Sequence, residues 1–245
     1  MAPSILQHPF DRLALQAADQ RVLHAARNET KAIVSLVEWP PASDEVVVVK
    51  DLASRALWFR LLAGRWLLLR EWKALAFLAG TSGVPAPVAR LDRDAFAMKH
   101  CAGESFLRFA PGEVPASAVC ELERIVEQMH ARGVTHGDLH RDNILLDSQG
   151  NVSVIDWATA CVFGPHHRGF KSWTWREWQA LDLRALAKIK ARYAPELLRP
   201  DEKLRLENGG SPIAQLIRRA GGLFKGRASD KWRESSDQGG LSRRI

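Results

Sequence analysis

The chain is poor in the residues that usually announce a special architecture. Its three cysteines, Cys101, Cys120 and Cys161, stand far apart in 245 residues and form no Cys-x-x-Cys pair. That excludes a disulfide framework and a cysteine-built zinc site as organising devices. No run of eighteen uncharged apolar residues occurs, so no membrane-spanning helix is expected. Met1 to Leu15 lacks the basic-then-apolar pattern of a signal peptide, and the expected compartment is the cytoplasm. Glycine is also missing from Asn28 to Val49. That stretch therefore lacks the residue that best lets backbone wrap closely over a bound anion.

With 46% hydrophobic and 26% charged residues, the composition is that of a soluble globular chain with ample length for a core. Such a chain suits one two-lobed domain or two small ones. The net charge of +7 suggests an anionic partner, but residues 209–245 hold eight Lys/Arg against three Asp/Glu and supply most of it. The basic character belongs mainly to the tail, and no specific nucleic-acid partner is expected.

Chemistry concentrates in His136-Gly137-Asp138-Leu139-His140-Arg141-Asp142-Asn143-Ile144-Leu145-Leu146 and its continuation Val152-Ser153-Val154-Ile155-Asp156-Trp157. Phosphoryl transfer needs a carboxylate to align the acceptor hydroxyl and oxygen ligands to hold a metal against nucleotide phosphates. Asp138 fits the first role. Asn143, five residues on, and Asp156, thirteen further on, fit the second, at the spacing of a kinase catalytic loop and its metal-binding Asp. His140-Arg141-Asp142 spells the familiar kinase tripeptide, but counting five from Asp142 reaches Asp147 rather than an Asn. Asp138 is therefore the candidate base and Asp142 a turn residue. The cluster Asp147–Asn151 between apolar runs reads as a hairpin, which would fix Asn143 against Asp156.

Upstream, Lys31–Glu38 and Glu45–Lys50 read as strands joined by the turn-rich Trp39–Asp44. The second strand ends in Val46-Val47-Val48-Val49-Lys50, which offers Lys50 as a phosphate-binding cation. Residues 56–79 are the most apolar stretch, yet Arg60, Arg65, Arg70, Glu71 and Lys73 interrupt them too often for a membrane anchor. From Trp66 to Leu78 the pattern is helical, with Leu67, Leu68, Ala74 and Leu75 three and four residues from Glu71. A carboxylate on an apolar face needs a partner, and Lys50 is the economical one. Val88–Leu91 and Ala95–Lys99 read as a strand pair. Met98 and His100 fall where an interlobe linker would offer backbone groups to adenine. A helix over Ala116–Arg132, carrying Val119, Leu122, Ile125, Val126 and Met129, stops at Gly133. A further helix spans 175–193, and Trp173, just before it, together with Trp175 and Trp178 reads either as packing or as an aromatic sugar platform. Ala194-Pro195-Glu196 is a coincidental match to another kinase signature. From Glu207 onward, glycine pairs and scarce large apolar residues suggest a disordered tail.

These residues resemble the protein-kinase-like superfamily in its small bacterial form. The His136–Leu145 string is similar to that of RIO-type kinases and small-molecule phosphotransferases. The Trp66–Leu78 helix with Arg70-Glu71, the Gly83-Val84-Pro85-Ala86-Pro87 connection and Ile155-Asp156-Trp157 look most like lipopolysaccharide core kinases acting on Kdo or heptose. The resemblance implies an α+β, two-lobed kinase-like fold, with a β-rich N-terminal lobe at residues 1–98, a reduced helical lobe at 99–206 and a tail at 207–245. It implies ATP with Mg2+ or Mn2+ as cofactors, Lys50 on the phosphates, Glu71 holding Lys50, Asp138 as base, and Asn143 with Asp156 on the metal. The implied acceptor is a sugar or lipid-linked saccharide met at the inner membrane face. A RIO-like Ser/Thr protein kinase and a non-catalytic pseudokinase are the alternatives. One departure stands out: no glycine-rich loop precedes Lys50.

Overall fold

Strand alternation explains the first half of the molecule. In a computed structural model, which describes residues 10–18, 20–24, 31–39, 45–166 and 169–207, a short helix α1 (Arg12–Ala17) precedes strands β1 (Gln20–His24), β2 (Ile33–Glu38) and β3 (Val46–Asp51). Side chains alternate faces along a strand. Val47 and Val49 of β3 accordingly join a core with Phe10, Leu15, Val37, Trp39 and Ala97, whereas Val48 joins the main core. Lys50 shares the face of Val48, which directs it toward the following helix. The hairpin of β4 (Pro87–Arg90) and β5 (Ala95–Lys99) completes an antiparallel sheet of order β1-β2-β3-β5-β4. Most of the turn expected at Trp39–Asp44 lies outside the described residues.

The helical segment between β3 and β4 begins earlier than its periodicity suggests. It runs as α2 (Leu57–Phe59), a π turn over Arg60–Gly64, and α3 (Arg65–Phe77). A π turn is held by bonds five residues apart, and here Arg60 and Arg65, five apart, converge on the buried carboxylate of Asp94. Gly64 permits this packing, because a Cβ there would lie 3.0 Å from Leu52 and 3.1 Å from the Phe59 ring. The buried face of α3 carries Leu68, Glu71, Ala74 and Leu75.

The second half is mostly helical. After β6 (Glu104–Ser105), α4 (Ala116–Ala131) buries Val119, Leu122, Ile125, Val126 and Met129. Then come β7 (Val134–Thr135), the hairpin β8 (Ile144–Leu146) and β9 (Val152–Val154), and β10 (Cys161–Val162). Strand β6 pairs with β8, and β7 with β10. Two helices follow, α5 (Phe170–Tyr193) and α6 (Pro200–Glu207). The fold is therefore α+β, a sheet-rich lobe against a helical one. Glu207 ends α6, and the rest of the expected disordered tail lies outside the described residues. Among the described residues no helix is long and apolar enough to cross a membrane.

Candidate active site

The site forms where β3, α3, the catalytic loop and the β8–β9 hairpin meet. The Lys50 ammonium lies 2.6 Å from Glu71 Oε1 and 3.2 Å from Asp156 Oδ1. Burial works against the Lys50 charge, but the two carboxylates more than offset it and hold its pKa above the ordinary value. For Glu71, burial raises the pKa against the pull of Lys50, and its Oε1 also accepts the Trp157 N–H at 3.2 Å. Lys50 keeps the Asp156 carboxyl below its usual range, against the effect of burial. The three groups differ in access: the Glu71 side chain is 2% exposed, that of Lys50 12% and that of Asp156 52%.

The hairpin sets the metal-ligand candidates side by side. Ile144 pairs with Val154, and the Ile155 N–H donates to the Asn143 carbonyl at 2.9 Å, so Asn143 and Asp156 flank its open end. The Asn143 amide nitrogen donates to the Asp138 carbonyl at 3.0 Å, which leaves Oδ1 as the atom suited to a cation. Asp156 is the one non-glycine residue among those described with positive φ, at 62°. Such a backbone is costly for a side chain other than glycine and is concentrated at functional sites. A half-exposed ionised carboxylate and an amide oxygen are hard donors of the kind Mg2+ takes. That ion is commonly held by one or two carboxylates plus substrate phosphates rather than by an all-protein cage. Among the described residues no group of three or more His, Cys, Asp or Glu is placed to hold a metal.

The catalytic loop is held from beneath by a residue that the sequence pattern did not single out. Asp182 of α5, 1% exposed, accepts the N–H of His136 and of Gly137, each at 2.8 Å, and faces His130 Nε2 at 3.1 Å. Gly137 is needed for this approach. Its φ is +78°, and a Cβ there would fall 2.5 Å from the Trp178 ring. Buried His136 receives the Asp138 N–H on Nδ1 at 3.4 Å, so its Nε2 carries the proton and donates to the Ile155 carbonyl at 3.0 Å. Burial lowers its pKa, which agrees with a neutral ring. Together these bonds place the Asp138 carboxylate, 41% exposed, at the cleft with His140 Nε2 3.5 Å away. Arg70, also unassigned by the sequence pattern, ties α3 to the turn after Asp156 by donating to the carbonyls of Thr159 and Ala160.

The linker candidates fare differently. Met98 is buried in the core and lies in β5, between Val48 of β3 and Pro87 of β4. The His100 N–H donates to the Val46 carbonyl at 3.1 Å. Of the His100 backbone groups, the amide is thus engaged with the neighbouring strand. Of the three tryptophans, Trp175 is buried against His130 and Phe163 and Trp178 lies over Gly137. Only Trp173 is largely open, which favours packing over a sugar platform.

A family model described as the phosphotransferase enzyme family matches residues 80–202, half of the chain. The chain belongs to this family. Among curated relatives of this phosphotransferase, the serine/threonine-protein kinase ppk8 of Schizosaccharomyces pombe is 47% identical over 49 residues, 20% of this chain and 9% of that protein. The CBL-interacting serine/threonine-protein kinase 15 of Arabidopsis thaliana is 35% identical over 72 residues, 27% of this chain and 17% of that protein. The chain thus spans only a small part of these relatives. Among solved structures, the Rio2 kinase of Chaetomium thermophilum, in an ADP/Mg2+-phosphoaspartate complex, matches with a TM-score of 0.53 and 16% identity. The match covers 83% of this chain and 66% of that one, and it identifies the fold as kinase-like.

Proposed function

We propose that the chain transfers the γ-phosphoryl group of ATP to an alcohol, with Mg2+ or Mn2+ as the metal. The observation that carries this is the contact of Lys50 with both Glu71 and Asp156, at the cleft where Asp138 presents its carboxylate. Lys50, aimed by Glu71, binds the nucleotide phosphates. Asn143 and Asp156 would hold the metal, which when bound would supply positive charge against the phosphates. Asp138 aligns the acceptor hydroxyl and takes its proton as the oxygen–phosphorus bond forms and ADP leaves. Asp182 acts through the loop by keeping Asp138 in register.

The favoured acceptor is a lipopolysaccharide core sugar, on the motif similarities of Trp66–Leu78 and Ile155–Trp157. A lipid-linked acceptor would be met at a membrane surface, where the exposed Trp58, Leu61, Leu62 and Trp66 suit an interfacial contact. A RIO-like protein kinase is the second reading, favoured by the likeness in fold to the Rio2 kinase. Incubation with labelled ATP, Mg2+ and either deacylated core oligosaccharide or cytoplasmic proteins separates the two. Label on the saccharide is the expected result, label only on protein seryl groups supports the second reading, and no metal-dependent nucleotide binding at all overturns both.

A further inference from the structure

In a kinase-like cleft the turn between the first two strands covers the nucleotide phosphates with close backbone, and that approach calls for glycine. Here residues 25–32, which join β1 to β2, contain none. The cleft is also short of positive charge. The Lys50 ammonium is already answered by the carboxylates of Glu71 and Asp156, and a nucleoside triphosphate brings more negative charge than that ammonium and one divalent ion offset.

Lys31 stands at the end of that connection. It is exposed, in a bend just ahead of β2, and Ala32 and Val34 after it pack against the main core, which anchors its backbone. Val34 pairs with Lys50. Three residues separate Lys31 from that register, roughly 10 Å at about 3.3 Å per residue, and a lysine's flexible four-carbon stem closes much of such a gap. The charge of its ammonium is felt in the cleft: Lys50 holds the Asp156 carboxyl below its usual range against the effect of burial, and Lys31 adds to that pull. No carboxylate among the described residues forms an ion pair with Lys31. Asp51, which pairs with Ile33 across the sheet, is held instead by Arg12.

We infer that Lys31 binds the terminal phosphates of the nucleotide from the sheet side of the cleft, a side-chain contact in place of the backbone wrap that glycine would allow. The inference rests on the proposed use of ATP at this site and names the residue that completes its hold on the phosphates. Lys50 approaches them from β3 and Lys31 from the start of β2, so cations on two neighbouring strands share the charge. A lysine lacks the fixed geometry of a loop of amides, but its full charge acts over a longer distance.

The test is calorimetric titration of the full chain with the non-hydrolysable analogue AMP-PNP and Mg2+, and with adenosine, on the wild type, K31A, K31R, K50A and K203A. Lys203 is an exposed lysine of α6, and its loss changes the net charge as K31A does. K31A should weaken AMP-PNP at least ~10-fold, less so as salt rises, and leave adenosine binding and the thermal midpoint unchanged. K31R should retain most of the affinity, and K203A all of it. Unchanged AMP-PNP affinity in K31A beside a loss in K50A would overturn the inference and leave the proposed function standing. A parallel loss of adenosine, or an equal loss in K203A, would overturn it as well, showing a disturbed lobe or a general effect of charge. A wild type that binds no nucleotide would remove both. Lys31-dependent binding without phosphoryl transfer to any alcohol would keep the inference and remove the proposed function instead.

Discussion

Two lysines in this chain are each held by a pair of carboxylates, and the surroundings of the two clusters differ. Lys190 of α5 meets Glu123 at 2.6 Å and Glu202 at 2.9 Å, with its side chain 1% exposed. Lys50 meets Glu71 at 2.6 Å and Asp156 at 3.2 Å. Around Lys190 both carboxylates also receive Arg199, and the cluster pins α6 to α4 and α5. Around Lys50 one carboxylate, Asp156, is half exposed and held on a left-handed backbone. A closed cluster of buried charges is a structural fastener. An open one, with a strained acid facing the cleft, has capacity left for a ligand. The same three functional groups therefore carry different meaning according to whether one of them is accessible.

The difference can be broken or sharpened by substitution. The largest effect on stability is expected at Lys190→Ala, which leaves buried Glu202 and half-buried Glu123 with the exposed Arg199 as their remaining ionic partner among the described residues and should lower unfolding free energy by about 3 kcal/mol in urea melts. Lys50→Ala should cost less than half as much, because Glu71 can take up a proton and Asp156 turns to water, but it should abolish most of the nucleotide-dependent turnover. Equal losses of stability at the two sites would erase the distinction. Next, Asp138→Asn should lower turnover at least ~10²-fold, a barrier change of about 2.7 kcal/mol, with nucleotide affinity retained. Asp156→Asn should instead weaken metal-dependent nucleotide binding. Wild-type turnover in Asp138→Asn would place the base elsewhere in the loop.

Smaller effects test coupling and pH. A double-mutant cycle on Lys50→Ala and Glu71→Ala, read as nucleotide affinity, should give an interaction of about 0.5–3 kcal/mol, and strict additivity would show that the two do not act as a pair. Asp94 inverts the arrangement, one carboxylate between Arg60 and Arg65. The hydrogen bond from Arg65 is the main reason its pKa is depressed. A depressed carboxyl contributes stability that is complete above its unfolded pKa, about 3.9, and is lost as pH falls toward the folded value. Asp94→Asn should therefore cost about 1 kcal/mol near neutrality, and the gap to wild type should close as thermal melts are taken to lower pH. A gap unchanged by pH would mean that Asp94 contributes by packing alone.

Much of this arrangement was legible in the chain, and the misses have identifiable reasons. The Lys50–Glu71 partnership followed from a carboxylate flanked by apolar residues three and four positions away. The same reasoning applied to Asp182, with Trp178 and Leu186 four residues to either side, would have found the support of the catalytic loop. The earlier start of the helix at Leu57 was not legible, because a π turn departs from the 3.6-residue period on which the helical reading depends.

Spacing along the chain determined which groups are available for chemistry. Asp138, Asn143 and Asp156 lie on one loop and one hairpin, where local geometry dictates their distances, and the β-branched run before Lys50 selects its face. Tertiary structure decided what becomes of each group. Contacts between residues far apart in sequence commit the His100 amide to Val46, turn Asp182 onto the loop and close a shell around Lys190. Burial and long-range partners set the energy of a charge, and neither is written in the spacing of its neighbours.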